Sequence, residues 1–198
     1  MSDDDAARQT GGASAGGTSA GDASAGSRVV TWQDPFAGAR LMPTMTGLEF
    51  VRGMIDGSTP APAIADLARM RVVAADVGST TFECDPHISH YNPIGTVHGG
   101  LIATILDSAV GCAVHTTLPK GQGYTSVDIR VSFLRPVRLE TGTLTCTATV
   151  TKAGRRVAFA EATLTDAAGT LYATASSSLL VLDLERAVET VSGAESSP

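Results

Sequence analysis

The chain has 198 residues, of which 43% are hydrophobic and 17% charged, and its net charge is −6. This length and apolar share fit one well-buried domain, and no apolar run approaches the ~20 residues that span a bilayer. The chain is acidic and has no dense basic stripe, which excludes a nucleic-acid-binding surface. Its three cysteines lack metal-type spacing, which favours reduced thiols in a cytosol.

Both ends of the chain have the composition of disordered tails. Residues 1–27 are Gly, Ala or Ser at 18 of 27 positions, so they bury too little apolar surface to offset the entropy of ordering. We expect the same of residues 185–198. The N-terminus also lacks the basic and apolar regions of a secretory signal, so we expect a cytoplasmic protein. A single domain is therefore predicted over residues 28–184.

The first part of this domain is predicted to be helical. The stretch "MTGLEFVRGMIDG" has apolar residues at helical spacing, with Thr46 as its N-cap and Gly57 as its stop. A short second helix follows in "PAIADLARM". The next two runs, "RVVAADVG" and "TTFECDP", predict a hairpin with its turn near Gly78 and Ser79.

A central helix and four more strands complete the predicted domain. The helix lies in "NPIGTVHGGLIATILDSAVG", and the four runs after it alternate with period two, as strands do. In the first of these runs one face carries Val127, Ile129, Val131 and Phe133. In the second run one face carries Leu144, Cys146, Ala148 and Val150, and the other carries threonines. Close turn signals predict an antiparallel meander. One long helix with six strands, behind an extra N-terminal helix, gives the fold class α+β.

The central helix opens with "HGG" and carries one carboxylate, Asp107, inside its apolar run. A helix N-terminus exposes amide donors and the positive end of the peptide dipoles, and glycine lets a substrate group approach the backbone. Gly99 is therefore a candidate oxyanion donor. A buried carboxylate without a partner is costly, which makes Asp107 a functional candidate. The alternative interpretation is that "HGG" only ends a loop and starts the helix, and that Asp107 lies on the solvent-exposed face of that helix.

Gly99 and Asp107 can serve one reaction only if two chains supply them. They lie eight residues apart, or about 12 Å along one helix axis, too far for both to touch one carbonyl group. Antiparallel pairing of two central helices across a two-fold axis would bring each Asp107 to the other chain's Gly99. Four small residues would allow close approach of the helices: Gly100, Ala103, Gly111 and Ala113. If both residues act, the spacing predicts an active site at a dimer interface.

The spacing of Asn92, His98-Gly99-Gly100 and Asp107 resembles that of hotdog-fold acyl-CoA thioesterases of the phenylacetate-degradation (PaaI-like) group. The strand "SVDIRVSFLRP" and the hairpin "GRRVAFAEATLTDAAGTLYATASS" also resemble that group, so the resemblance covers roughly residues 64–183. It implies a hotdog fold, in which a six-stranded antiparallel sheet wraps a long helix. It also implies a homodimer with a continuous sheet and sites at the interface, commonly as a dimer of dimers (a homotetramer).

The resemblance further implies roles for individual residues. The Gly99 amide would polarise the thioester carbonyl, and Asp107 of the partner chain would attack it or activate water. Asn92 would position the water or the carbonyl, and His98 would hold the loop or hydrogen-bond the substrate. Ser126 corresponds to a hydroxyl that assists on the Asp107 side.

The implied substrate is an acyl-CoA, with coenzyme A as part of the substrate and no further cofactor or metal. A thioester releases a low-pKa thiolate, so a carboxylate, an oxyanion donor and water suffice. The chain lacks a Gly-x-Ser-x-Gly elbow, which is consistent with a serine-free route. Thr125, beside Ser126, and Gly100 are further candidate substrate contacts. Five basic residues could meet the phosphates of coenzyme A: Arg135, Arg138, Lys152, Arg155 and Arg156.

Several alternatives remain open at the level of sequence. The residues of "KAGRR" could simply form a solvated turn, and "CDPHISH" holds possible metal ligands although it is interpreted as a strand end and loop. His115, at the helix C-terminus, is assigned to compensation of the helix dipole rather than to catalysis. A hotdog hydratase and a non-catalytic acyl-CoA binding module are the competing functions. The acyl group itself is not specified by the sequence.

Overall fold

The computed structural model describes residues 26–184, so most of the two predicted tails lies outside the described part. The helices are α1 (Pro35–Leu41), α2 (Gly47–Asp56), α3 (Ala63–Ala68) and α4 (Gly99–His115). The strands are β1 (Met70–Asp76), β2 (Ser79–Cys84), β3 (Gln122–Phe133), β4 (Leu144–Lys152), β5 (Val157–Thr165) and β6 (Leu171–Asp183). The predicted N-terminal helix, central helix and six strands are therefore present.

All six strands form one antiparallel sheet in the order β1-β2-β4-β5-β6-β3. This confirms the predicted α+β class with one long helix, but the predicted meander holds only for β4, β5 and β6. Strand β3 pairs with β6, where Phe133 lies opposite Ala173, instead of with β4. The connection over residues 134–143 carries the chain back across the sheet, so that β4 lies between β2 and β5. β3 is consequently an edge strand.

Helix α4 packs along the inner face of the sheet and forms the centre of the core. Ile105, Leu106 and Val110 of the helix are fully buried. They belong to the same apolar cluster as the alternate inward residues of β4, which were predicted to share a face: Leu144, Cys146 and Ala148. Strand β5 contributes small side chains to this cluster, which lets the helix lie close to the sheet: Ala158, Ala160 and Ala162.

Helix α2 begins and ends where its local sequence predicts. The Thr46 hydroxyl accepts a hydrogen bond from the Glu49 amide, and the Glu49 carboxylate accepts one from the Thr46 amide, which makes a capping box. Gly57 ends the helix with φ 84°, a left-handed conformation that glycine adopts without strain. The start of α2 packs closely on the end of α4, because a Cβ at Gly47 would overlap the backbone carbonyl of His115.

Two local features differ from the predictions. Helix α1 was not anticipated, although its signals are present: the Asp34 side chain caps it and Pro35 occupies its first turn. The β1–β2 turn lies one residue earlier than expected, because Gly78 takes the left-handed conformation (φ 76°) and Ser79 already belongs to β2.

The inward face of β3 is interrupted by a β-bulge. The register with β6 shifts between Ser126 and Asp128, so Val127 leaves the ladder and is 64% exposed. Ile129 and Val131 still pack against the core. Phe133, which was predicted to share their face, is 55% exposed because β3 is the edge of the sheet.

Candidate active site

The N-terminus of α4 leaves one backbone amide free. His98 is the N-cap, and its Nδ1 accepts a hydrogen bond from the Gly100 amide at 2.8 Å. The His98 carbonyl accepts from the amides of Leu101 and Ile102. None of the hydrogen bonds formed within residues 26–184 uses the Gly99 amide. Gly99 is thus a free donor at the positive end of the helix, whereas the amide of Gly100, also predicted to contact substrate, is engaged by His98.

Gly99 shares a cavity of about 320 Å³, here called the Gly99 cavity, with Asn92, Arg135 and the Phe133 ring. The Asn92 side chain mainly shapes the loop before the helix: its Oδ1 accepts from the Ile94 amide (3.1 Å) and its Nδ2 donates to the Thr96 hydroxyl (3.0 Å). One N–H of Nδ2 is left for a ligand. The predicted proximity of Asn92 to Gly99 is therefore present in the structure.

The five basic candidates fall into two groups within one chain. Arg135 lines the Gly99 cavity and donates to the Leu171 carbonyl at 2.6 Å. Arg138 is three residues further on, at the start of a short 3₁₀ turn. The other three lie near the β4–β5 turn, at the end of the sheet away from Arg135. Strand β5 begins opposite Leu180 of β6, and Leu180 also pairs with Thr125 near the start of β3, whereas Arg135 follows the end of β3. These are Lys152, Arg155 and Arg156.

Asp107 is half-buried and held by one side chain from β3. The Ser126 hydroxyl donates to Asp107 Oδ1 at 2.8 Å, so the structure brings this predicted pair together. Thr125 precedes Ser126 in the strand, and neighbouring strand residues point to opposite faces. Thr125 therefore lies on the face away from α4. The carboxylate is neither fully buried nor unpartnered, contrary to the expectation from its apolar neighbours.

Helix α4 presents its functional residues to the edge strand. Going along the helix, three contacts join it to β3: Phe133 beside Gly99, Ser126 bonded to Asp107, and Tyr124 against Gly111. A Cβ at Gly99 would lie 3.2 Å from the Phe133 ring. Gly99 and Asp107 thus both lie beside the free edge of the sheet.

Two of the four small residues of α4 that were predicted to contact a second helix pack within the chain instead. Gly111 is needed within the chain, because a Cβ there would overlap the Tyr124 side chain, and Ala113 is fully buried in the core. Only Gly100, which is exposed, and Ala103, which is half-buried, remain open to a second helix. The predicted close approach would therefore involve the first half of α4.

A second cavity, of about 270 Å³, opens beside Asp107 and is here called the Asp107 cavity. Asp107 and Ser108 of α4 form part of its polar lining, together with Arg71 of β1. Most of its lining is apolar and comes from α2, the segment through α3 and the first hairpin: Met54, Pro62, Ile64, Met70, Val72 and Phe82. Sequence reasoning missed these residues, because each one matches an ordinary core position of its own element.

Cys112 and Tyr124 also line the Asp107 cavity, and both are neutral groups. Burial raises the pKa of the Cys112 thiol to about 12, and burial also raises the pKa of Tyr124 well above its usual value. Cys112 is therefore a thiol at neutral pH and not a thiolate nucleophile. Asp107 is the acidic group of this cavity.

His115 does not compensate the dipole of α4. It is buried, its ring stacks edge-on against Phe50 with 5.4 Å between the ring centres, and neither ring nitrogen has a partner among the described residues. Burial lowers the pKa of His115 to about 4. The ring is thus neutral at pH 7 and cannot offset the negative helix end.

The "CDPHISH" stretch is a strand end followed by a 3₁₀ turn. Cys84 is buried and donates to the Ala68 carbonyl, and His90 Nε2 lies 3.2 Å from the Leu67 carbonyl. Within residues 26–184 no three His, Cys, Asp or Glu side chains are arranged to hold a metal ion. The same part of the chain has no helix with the length and apolar character needed to cross a membrane.

A six-stranded antiparallel sheet wrapped around one long helix, with a free glycine amide and a carboxylate on that helix, defines a hotdog protein of the thioesterase class. Residues 94–173 match the model of the Thioesterase superfamily. Acyl-coenzyme A thioesterase 13 of Homo sapiens is 35% identical over 102 residues, which are 52% of this chain and 71% of that protein. The chain belongs to the thioesterase superfamily, which confirms the resemblance and the prediction of a thioester hydrolase.

Solved structures give the same fold. A phenylacetic acid degradation-related protein of Ralstonia eutropha has a TM-score of 0.61 and 30% identity, with 66% of this chain and 98% of that chain aligned. The PaaI protein of Escherichia coli also has a TM-score of 0.61, at 18% identity, with 69% and 96% aligned, and supports the fold alone. Almost all of each neighbour therefore aligns with about two thirds of this chain.

Proposed function

We propose that the protein hydrolyses acyl-CoA thioesters with Asp107 of one chain and the Gly99 amide of a second chain. The observation that carries this proposal is the position of Asp107, which is held by Ser126 and lines a cavity whose other walls are mostly apolar. The coenzyme A thioester is supported by the name of the related Homo sapiens enzyme. An acyl group in the Asp107 cavity would place its carbonyl carbon next to the carboxylate.

The contacts of Asp107 suit a nucleophile or general base. Ser126 occupies Oδ1, which fixes the carboxylate and leaves Oδ2 available. As a general base, Oδ2 takes a proton from water while the water oxygen bonds to the thioester carbon. The carbon–sulfur bond then breaks and coenzyme A leaves as a thiolate. As a nucleophile, Oδ2 bonds to that carbon directly and the carbon–sulfur bond breaks to release the thiolate. Water then hydrolyses the resulting anhydride, which gives the free acid and regenerates Asp107.

The free edge of β3 supports the two-chain site. This edge strand spans 12 residues, and Val127 and Phe133 are more than half exposed on it. A long edge strand with exposed apolar residues is a template for pairing with another chain. Antiparallel pairing of β3 with its copy would set the two α4 helices antiparallel. Each Asp107 would then face the other chain's Gly99. Two chains are needed for this contact, because the two residues of one helix are ~12 Å apart along its axis.

The same pairing accounts for the two separate groups of basic residues. In an antiparallel pair of β3 strands, the Thr125 end of one strand lies beside the Phe133 end of the other. The β4–β5 turn of one chain, with Lys152, Arg155 and Arg156, then lies at the same end of the joined sheet as Arg135 of the other. Both groups can contact the phosphates of one coenzyme A in this arrangement.

Subunit mixing tests the shared site. Asp107→Ala removes the carboxylate, and Gly99→Pro removes the oxyanion N–H at the first helical position, where the helix itself does not use it. Because a Cβ at Gly99 would lie 3.2 Å from the Phe133 ring, folding of this variant is checked by its melting temperature. Each variant alone should lose activity, by ~10²–10³-fold for the oxyanion donor. An exchanged equimolar mixture should recover about a quarter of wild-type activity, because half the dimers are mixed and each holds one intact site.

Hydrolysis of acyl-CoA substrates, followed with a thiol reagent, is the readout. Release of free coenzyme A separates the proposal from a hydratase and from a binding module, neither of which releases it. Mixed dimers that have exchanged subunits but remain inactive would contradict the two-chain site. A wild-type protein that releases no thiol from any acyl-CoA would contradict the proposed function as a whole.

A further inference from the structure

Helix α3 lies between two cavities over the surface of α4. One is the Asp107 cavity, and the other is a cleft of about 560 Å³, here called the His98 cleft. This cleft is lined by the N-cap of α4, by the first half of that helix and by α3: His98, Leu101, Thr104 and Leu67. Of the described residues that line the two, Ile64 is the one that lines both.

The size of the Asp107 cavity limits the acyl group it can hold. A dry apolar cavity of ~150 Å³ takes up one benzene ring. A cavity of about 270 Å³ therefore accommodates roughly ten carbon atoms on the same scale. A longer acyl chain that starts at Asp107 must leave this cavity. The adjoining space beyond Ile64 is the His98 cleft, where Val30, Leu67 and Leu101 offer apolar surface.

The backbone of α3 is fixed, so the Ile64 side chain decides whether that path is open. The Leu67 carbonyl accepts from Arg28 at 2.7 Å and lies 3.2 Å from His90 Nε2. The Asp66 carboxylate accepts from the Thr31 amide. These contacts tie α3 to the segment before it and to the loop that leads to α4. Ile64 itself is 41% exposed, so its replacement leaves the core intact.

We propose that Ile64 is the residue that sets the upper limit of acyl-chain length, as a partition between the Asp107 cavity and the His98 cleft. This inference rests on the proposed acyl-CoA hydrolysis. Ile64→Ala removes three carbon atoms from the partition and joins the two spaces. Ile64→Phe enlarges the partition and should move the preference toward shorter chains.

The expected effects follow from the burial of methylene groups. Each newly buried CH₂ contributes ~0.8 kcal/mol, about fourfold in affinity. For an acyl chain two methylenes longer than the best wild-type substrate, Ile64→Ala should raise kcat/KM about 15-fold relative to that substrate. Ile64→Phe should lower kcat/KM for the best wild-type substrate and spare shorter ones.

Ile55→Ala is the matched control. Ile55 is an isoleucine on helix α2 with 42% exposure, almost equal to that of Ile64, and it lines neither cavity. Its replacement should leave the chain-length profile unchanged. The assay is kcat/KM of all four proteins on straight-chain acyl-CoAs from two to sixteen carbons, with folding checked by melting temperature.

The outcomes separate this inference from the function on which it rests. A longer optimum in Ile64→Ala and a shorter one in Ile64→Phe, with no change in Ile55→Ala, would support the partition. If either folded Ile64 variant hydrolyses acyl-CoAs with the wild-type profile, the partition is refuted and the proposed function stands. If wild-type protein hydrolyses no acyl-CoA, both are refuted.

Discussion

Replacement of Asp107 by asparagine separates a catalytic carboxylate from a structural one. The asparagine side chain has nearly the same shape, and its Oδ1 can still accept the 2.8 Å hydrogen bond from Ser126. What it lacks is the negative charge and the second oxygen that would attack the thioester or take a proton. We therefore expect kcat to fall by ~10²–10⁴-fold, with a much smaller change in KM.

The expected change in stability is small and follows from the same contacts. A hydrogen bond to a charged group contributes ~1.5–3 kcal/mol and one between neutral groups ~0.5–1.5 kcal/mol, so Asp107→Asn weakens the Ser126 contact by about 1 kcal/mol. A neutral amide is also less costly to bury than a carboxylate in this half-buried position. The two effects oppose each other, and the free energy of unfolding should stay within ~1 kcal/mol of wild type.

Asp128→Asn supplies a matched control on the other face of β3. Asp128 Oδ2 accepts from the Ser178 hydroxyl at 2.7 Å, so it forms an Asp–Ser pair like that of Asp107 and Ser126. Its replacement should leave turnover unchanged. Both variants are assayed for thiol release from the best acyl-CoA and for melting temperature on the same samples. Wild-type turnover in Asp107→Asn, or equal losses in the two variants, would refute the assignment of Asp107.

Two further predictions concern stability. Burial lowers the pKa of His115 from 6.5 to about 4, so between these pH values the unfolded chain binds a proton that the folded chain does not. The free energy of unfolding is therefore at its full value above pH 6.5 and falls by up to about 3 kcal/mol as the pH falls toward 4. Urea unfolding at pH 7 and 4.5 should show this loss, and His115→Phe should reduce it; an equal loss in the variant would contradict the assignment. Deletion of residues 1–27 should leave melting temperature and turnover unchanged, and a marked fall in either would show that this segment contributes to the fold.

The local elements were predictable because their signals are local. Helix α2 has its cap at Thr46 and its stop at Gly57, and both operate in the structure. The strands alternate with period two, and in β4 the predicted face is the buried one. Helix α1 had equally local signals in Asp34 and Pro35 and could have been predicted from them.

The strand order and the Asp107 cavity were not predictable in this way, because they depend on contacts between distant segments. Nothing in the alternation of β3 distinguishes pairing with β6 from pairing with β4. The cavity joins Met54, Ile64 and Phe82 from three separate elements to Asp107. Each of the three has an ordinary apolar pattern within its own element, so only the packed structure reveals their common role.

The bulge at Val127 allows both halves of β3 to contact helix α4. Side chains on one face of an unbroken strand recur every second residue, so Tyr124 and Ser126 would share a face with Asp128 and not with Ile129. The extra residue at Val127 shifts this parity. Tyr124 and Ser126 can therefore meet α4 in the first half, while Ile129 and Val131 pack inward in the second. Without the bulge, β3 could orient Asp107 or cover the first half of α4, but not both. Within one chain β3 pairs with β6 alone, so the bulge interrupts a single ladder of the sheet.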